Sequence, residues 1–188
     1  MNHTLCGQHH ALNPIIAKNI ALALAYWGVS HLNVLVFQQL GVLPMAVWPA
    51  AAIALLAFLD CGWRVAPGIA VGTFLANYFS LNSPLLYAGL IPIMNTLGPL
   101  IVATAIRRHL GGLHLRRFSD FLIVFVLAVV LAPALTATGG IGFKWALGLI
   151  PTEAVSGAWV KWALAHATGT LIFGAPMLAY LMTQEAAE

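Results

Sequence analysis

A compact bundle of about six transmembrane helices is the fold this sequence predicts, and three observations predict it. First, 61% of the 188 residues are hydrophobic and only 7% charged, with a mean hydropathy of +0.92. A water-soluble domain of this length could not hide that much apolar surface, so the chain reads as an all-α integral membrane protein. Second, the apolar residues form six runs, at 15–38, 43–59, 65–80, 84–107, 118–138 and 157–182. A bilayer core needs roughly 20 helical residues, and the second and third runs are short. Third, the charges lie between the runs or within a few residues of their ends. The loop RRHLGGLHLRR holds Arg107, Arg108, Arg116 and Arg117, half of the eight Lys and Arg residues. The bias of basic loops toward the cytoplasm places it inside. Threading from there puts Lys18 and Arg64 inside, Lys144 and Lys161 outside, and both termini in the cytoplasm.

Before the first run, MNHTLCGQHHALNP has neither a basic n-region nor an apolar h-region, so it is no signal peptide. Residues 1–14 read as a flexible N-terminal segment, 15–182 as one transmembrane domain and 183–188 as a cytoplasmic tail. In the first run Ala17, Ala21 and Ala25 recur at every fourth position. Ala46, Ala50 and Ala54 do so in the second, and Gly68, Gly72 and Ala76 in the third. This spacing lets helices approach closely in lipid. It serves packing within the bundle or, alternatively, a face for another membrane subunit. After the fifth run, GGIGFKWALGLIPTEAVSG is short and broken by Gly and Pro, which predicts a re-entrant or interfacial piece. Cys6 and Cys61 give no CxxC pair and no disulfide framework. The net charge of +3 sits in short loops and implies a bilayer, not a nucleic acid, as partner.

Polar residues collect at one depth. His31 lies near the outer end of the first run and His166 a similar distance into the sixth, so both sit about 12–14 Å below the outer surface at about 1.5 Å per residue. Asn77, Asn95 and Thr96 fall in the same half. On the sixth run Trp159, Trp162, His166, Gly169 and Phe173 are spaced as one narrow seam, and Trp48 enters the second run just before Pro49. The candidate ligand-binding set is therefore His31, Trp48, Asn77, Asn95, Thr96, Trp159, Trp162 and His166. An ionisable group within a membrane usually faces a cavity or a partner. Three readings of His166 follow: a hydrogen bond across helices, contact with a small ligand entering from outside, or ligation of a metal or haem iron together with His31. Two imidazoles without a carboxylate or thiolate are few for zinc. His166 is expected to look inward toward His31 and Asn95. With no nucleophile beside a base and no paired carboxylates, an enzyme is not expected.

The stretch VWPAAAIALLAFLDCGWRVAPGIAVGTFLANYF carries Trp48-Pro49, Pro67-Gly68 and Leu75-Ala76-Asn77. MNTLGPLIVATAIRRHL adds Asn95-Thr96-Leu97 before the basic loop, and Trp159-x-x-Trp162 leads to Gly169 and Ala175-Pro176. In this order, over about 45–182, these pieces resemble the first family of bacterial membrane-associated sensor domains. The resemblance implies an inner-membrane input module that reports to a cytoplasmic diguanylate cyclase, phosphodiesterase or histidine kinase. In a free-standing relative it implies signalling through a separate membrane partner. The chain departs from the family at Gly98, where a carboxylate is usual after Asn-Thr-Leu, and at His166, where an acidic residue is common. Both departures are expected inside the pocket, so no ligand preference carries over. The alternatives are the substrate-binding membrane subunit of an energy-coupling-type vitamin importer and an accessory haem- or metal-binding membrane subunit.

Overall fold

The computed structural model describes residues 12–41, 46–110 and 117–176, all helical or in short connections between helices. The elements run α1 (Leu12–Gln39), α2 (Ala50–Cys61), a 3-10 turn (Gly62–Val65), α3 (Ala66–Leu75), α4 (Leu85–Leu110), α5 (Phe118–Phe125), α6 (Ala132–Ala146) and α7 (Val155–Gly169). Three π-helical stretches continue them: Ala76–Ser80 after α3, Val126–Leu131 joining α5 to α6, and Thr170–Gly174 after α7.

Several polar side chains lie inside, while many large apolar ones face outward. Ser30, Thr73, Asn77, Asn95, Thr136 and His166 are buried, while Ile20, Leu24, Leu32, Leu86, Val130 and Leu164 are exposed. Water would penalise that arrangement, whereas lipid favours it. Four stretches are long and apolar enough to cross a membrane: Pro14–Gln39, Ala50–Ser80, Leu85–Leu110 and Phe118–Ala146. The sequence reading expects six spans. Ala50–Ser80 takes up its second and third, and α7, with Lys161 and His166 in it, is not among the four.

The two halves of Ala50–Ser80 do not form one rod. Along α3, Gly68 meets Asn19 and Ser80 meets Trp27 and His31, so α3 runs parallel to α1. The start of α2 lies beside Asn33 and Tyr26 and its end beside Arg107, so α2 runs the other way. The chain reverses at Gly62, whose φ of 64° suits glycine. A reversal leaves helix-end donors and acceptors without intrahelical partners, and neighbouring side chains satisfy them here. The Arg107 guanidinium donates to the Leu59 and Asp60 carbonyls. Asn19 donates to the Arg64 carbonyl at 3.0 Å and accepts from the Gly68 N–H at 2.6 Å.

Other expectations change at this level. The segment read as re-entrant is largely helical, because α6 continues to Ala146 before turning at Gly148 (φ 67°). Two of its glycines serve close packing: a Cβ at Gly139 would meet Met94, and one at Gly140 would meet Trp162 and Ile91. Gly68 and Gly72 do pack against α1, at Asn19, Ala23 and Tyr26, but Ala17, Ala21 and Ala25 are exposed on α1's other side. Helix α2 begins at Ala50, later than expected, and Leu12–Pro14 already belong to α1. Cys6 lies outside the described residues. So do the rest of the N-terminal segment, Arg116 and the whole tail.

Candidate ligand cavity

At the end of the bundle away from Asn19, Arg64 and Arg107 lies a cavity of about 560 Å³, within the size range of small-molecule sites. Its wall is built around α7. Gly169 has no side chain, so the Trp48 carbonyl approaches its Cα more closely than a Cβ would allow. The irregular segment before α2 therefore docks flat on α7. The Trp48 backbone N–H donates to the Ala165 carbonyl at 2.7 Å, and the Thr168 hydroxyl lies 2.7 Å from the Ala46 carbonyl. This docking lays the Trp48 indole on His166, with ring centroids 6.2 Å apart and planes 22° apart. Trp162, one turn earlier on α7, stacks on the same imidazole at 5.3 Å and 11°.

Five of the expected residues, Trp48, Asn77, Asn95, Trp162 and His166, line this cavity. Asn95 and His166 also line a smaller void of about 20 Å³ beside it, reaching Tyr26, Pro99 and Thr170. Pro99 has no N–H to return to the Asn95 carbonyl four residues earlier, so this turn of α4 is locally released from its helical ladder. The imidazole Nδ1 lies 3.1 Å from the Trp162 carbonyl. A carbonyl only accepts, so Nδ1 carries the proton and Nε2 of the neutral ring is an acceptor. That Nε2, Asn95 Oδ1 and Trp162 Nε1 are buried without a hydrogen-bond partner. Native interiors keep few such groups, and these three belong to residues that line the cavity.

The other expected residues go elsewhere. His31 is exposed, with Nδ1 3.1 Å from the Ser80 hydroxyl, and lines neither cavity. Trp159 turns to Thr138, donating at 3.0 Å. Thr96 is buried but lines neither cavity. Phe173 leaves the seam, at 50% exposure, because the π-helical turn from Thr170 shifts the register. Gly98 is a helix-crossing residue, where a Cβ would meet Thr136 of α6. The inward view of His166 thus includes Asn95 but not His31. The two histidines do not share a site, and His166 is flanked by stacked indoles, with Nδ1 turned to the Trp162 carbonyl and Nε2 buried. These residues do not fit a bis-histidine haem. Among the described residues no three His, Cys, Asp or Glu side chains gather as metal ligands.

Two charged lining residues escaped the sequence reading, which placed Lys144 in the re-entrant or interfacial piece and Lys161 on the outer side. Lys144 Nζ lies 5.4 Å from the centre of the Tyr87 ring and 5.9 Å from that of Trp162. Extending the helical period of the fifth run through Pro133, Ala137, Gly140 and Lys144 would have found it.

Fold and cavity together define a multi-helix membrane protein with a largely apolar chamber into whose lining a few polar and aromatic residues are set. The chain belongs to the MASE1 family, a family of membrane-associated sensor domains, whose sequence profile matches residues 18–184. No curated protein and no solved structure matches it.

Proposed function

We propose that this chain is a non-enzymatic sensory input module of the bacterial cytoplasmic membrane. It crosses the membrane six times with both termini inside, and binds a small ligand in the cavity on α7. It passes occupancy to a cytoplasmic output domain or a separate membrane partner. The observation that carries this reading is the set of buried, unpartnered groups, His166 Nε2, Asn95 Oδ1 and Trp162 Nε1, around one cavity in a member of a sensor family. The reversal at Gly62–Val65 supports counting Ala50–Ser80 as two crossings, and α7 with its π-helical extension supplies the last. The orientation is supported by Arg64 and Arg107 at one end and Lys144 and Lys161 at the other.

Signalling needs two helix arrangements and a ligand that prefers one; a preference of about 1.4 kcal/mol shifts their ratio tenfold. His166 lies one turn before the π-helical stretch Thr170–Gly174. Such turns occur often at functional sites, and a register change there would reach the C-terminal end directly. The test is a fusion of the chain's C-terminus to a reporter diguanylate cyclase in bacteria exposed to fractionated growth-medium extracts. Native fusions should change output several-fold with some fraction. Ala158→Trp, which fills the cavity, should give constant output. Equal responses from both would reject the cavity as the sensing site.

A further inference from the structure

We infer that the chamber takes an organic anion with an apolar body, its charge set against Lys144 and Lys161. This names the ligand class of the proposed sensory cavity and rests on that reading. The two lysines come from different elements, Lys144 from the last turn of α6 and Lys161 from α7, and both line the chamber. No Asp or Glu is among its lining residues. Glu153, just before α7, is exposed and does not line it. Among the described residues neither lysine forms an ion pair. The lining therefore carries two formal positive charges and no negative one.

A lysine near the end of a span ordinarily snorkels toward water. Lys144 does not. Its Nζ lies 5.4 Å from the centre of the Tyr87 ring, which is only 1% exposed, and 5.9 Å from that of Trp162. The ammonium is thus turned onto a buried ring of α4 and onto a side chain of the chamber wall. Such ring contacts are worth about 0.5–2 kcal/mol and position a cation without neutralising it. An ammonium drawn inside an apolar stretch needs a counter-charge or water, and such groups in membrane proteins mark ligand and ion sites. An anion in the chamber supplies that charge where the protein supplies none.

Burial shows which way the chamber opens. Gly157 and Lys161, in the first turns of α7, are exposed, whereas Trp48, Asn77, Ala165 and His166 are buried. Lys161 therefore stands on the open side, where its charge meets an approaching anion first. The rest of the wall is largely apolar, with Leu81, Ile141 and Ala158 among its side chains. A bare inorganic anion would lose hydration there with no apolar contact in return, whereas an apolar body gains from burial. A cation would be repelled by both lysines, and a neutral apolar molecule would leave them unpaired.

The experiment is calorimetric titration of the full chain in nanodiscs of neutral lipid, with the heat of empty nanodiscs subtracted. The probes share one apolar body: octanoate, octanamide and octylammonium. Octanoate should bind about tenfold or more tighter than octanamide, the worth of one charge-assisted contact, and octylammonium should give no saturable heat. The Lys144→Gln, Lys161→Gln double variant should bind octanoate no better than octanamide, and Lys144→Arg should keep the preference. Melting temperatures confirm that each variant is folded, and the probe comparison on the native chain stands without them. Equal binding of octanoate and octanamide, an octanoate preference that survives loss of both lysines, or no binding of octanoate would overturn the proposal. Repeating the titration in phosphatidylglycerol nanodiscs separates two sources of the anion. Octanoate displaced by that lipid assigns the site to a lipid headgroup, and octanoate still bound assigns it to a soluble acid. A reporter that responds to extracts in native but not Ala158→Trp protein, together with probes bound equally or not at all, rejects the anion class while sparing the cavity. A reporter blind to Ala158→Trp rejects the cavity itself.

Discussion

Gly169 shows how much one absent side chain sets in place. A Cβ there would collide with the Trp48 carbonyl, a backbone atom that cannot rotate away. Gly169→Val should therefore lift the Trp48–Pro49 segment off α7 and cost about 1–3 kcal/mol, as overpacking of tight interiors does. Thermal unfolding in detergent reads this directly, and an unchanged melting temperature would mean that Trp48 does not dock on α7. His166 makes the contrary prediction. His166→Phe loses the hydrogen bond to the Trp162 carbonyl but also removes the unpartnered Nε2, and it keeps the stacking on Trp48 and Trp162. The two hydrogen-bond terms, each about 1–2 kcal/mol, oppose one another, so the melting temperature should stay close to native. A large loss of stability would give His166 a structural task in place of a ligand-facing one.

At the scale of elements, the reversal between α2 and α3 depends on residues from two other helices. Asn19 of α1 holds the first turn of α3 through the Gly68 N–H and the Arg64 carbonyl, while Arg107 of α4 holds the last carbonyls of α2. Asn19→Ala should cost about 1–2 kcal/mol, the usual worth of a helix cap. The local signature is faster amide hydrogen exchange at Gly68–Ile69, with Asn77 unaffected. Uniform loss of protection along α3 would show that the helix depends on α1 packing as a whole and not on this cap. The small-residue stripe Gly68, Gly72, Ala76 was legible because its spacing has one meaning in lipid, close approach to a neighbour. The same spacing at Ala17, Ala21 and Ala25 lies on an exposed face of α1 and does not serve packing within the bundle.

For the whole molecule, the distribution of basic residues predicts an orientation that a reporter can read. Green fluorescent protein inserted within 111–116 should fluoresce, and alkaline phosphatase inserted after Gly148 should be active. Phosphatase activity at the arginine loop would invert the topology and put the chamber on the cytoplasmic side. The chamber is where sequence and structure meet most closely. Trp48, Asn77, Asn95, Trp162 and His166 were visible because polar and aromatic groups are costly in a bilayer without a reason. Lys144 was hidden by the glycines around it, which in a soluble protein signal a loop but here let α6 approach Trp162 and Met94.

The sequence by itself determined the solvent, the helical class, the charge asymmetry and the family, because each follows from composition, period or order along the chain. Only the tertiary structure decided which of the matched-depth residues share a space. Depth along a helix is fixed by residue count, but azimuth around the bundle is fixed by contacts between distant segments. The Trp48 N–H on the Ala165 carbonyl, and the π-helical turns that reset the register after Thr170 and across Ala76–Ser80, are such decisions. They brought His166 to Asn95 and two tryptophans, and left His31 outside with Ser80.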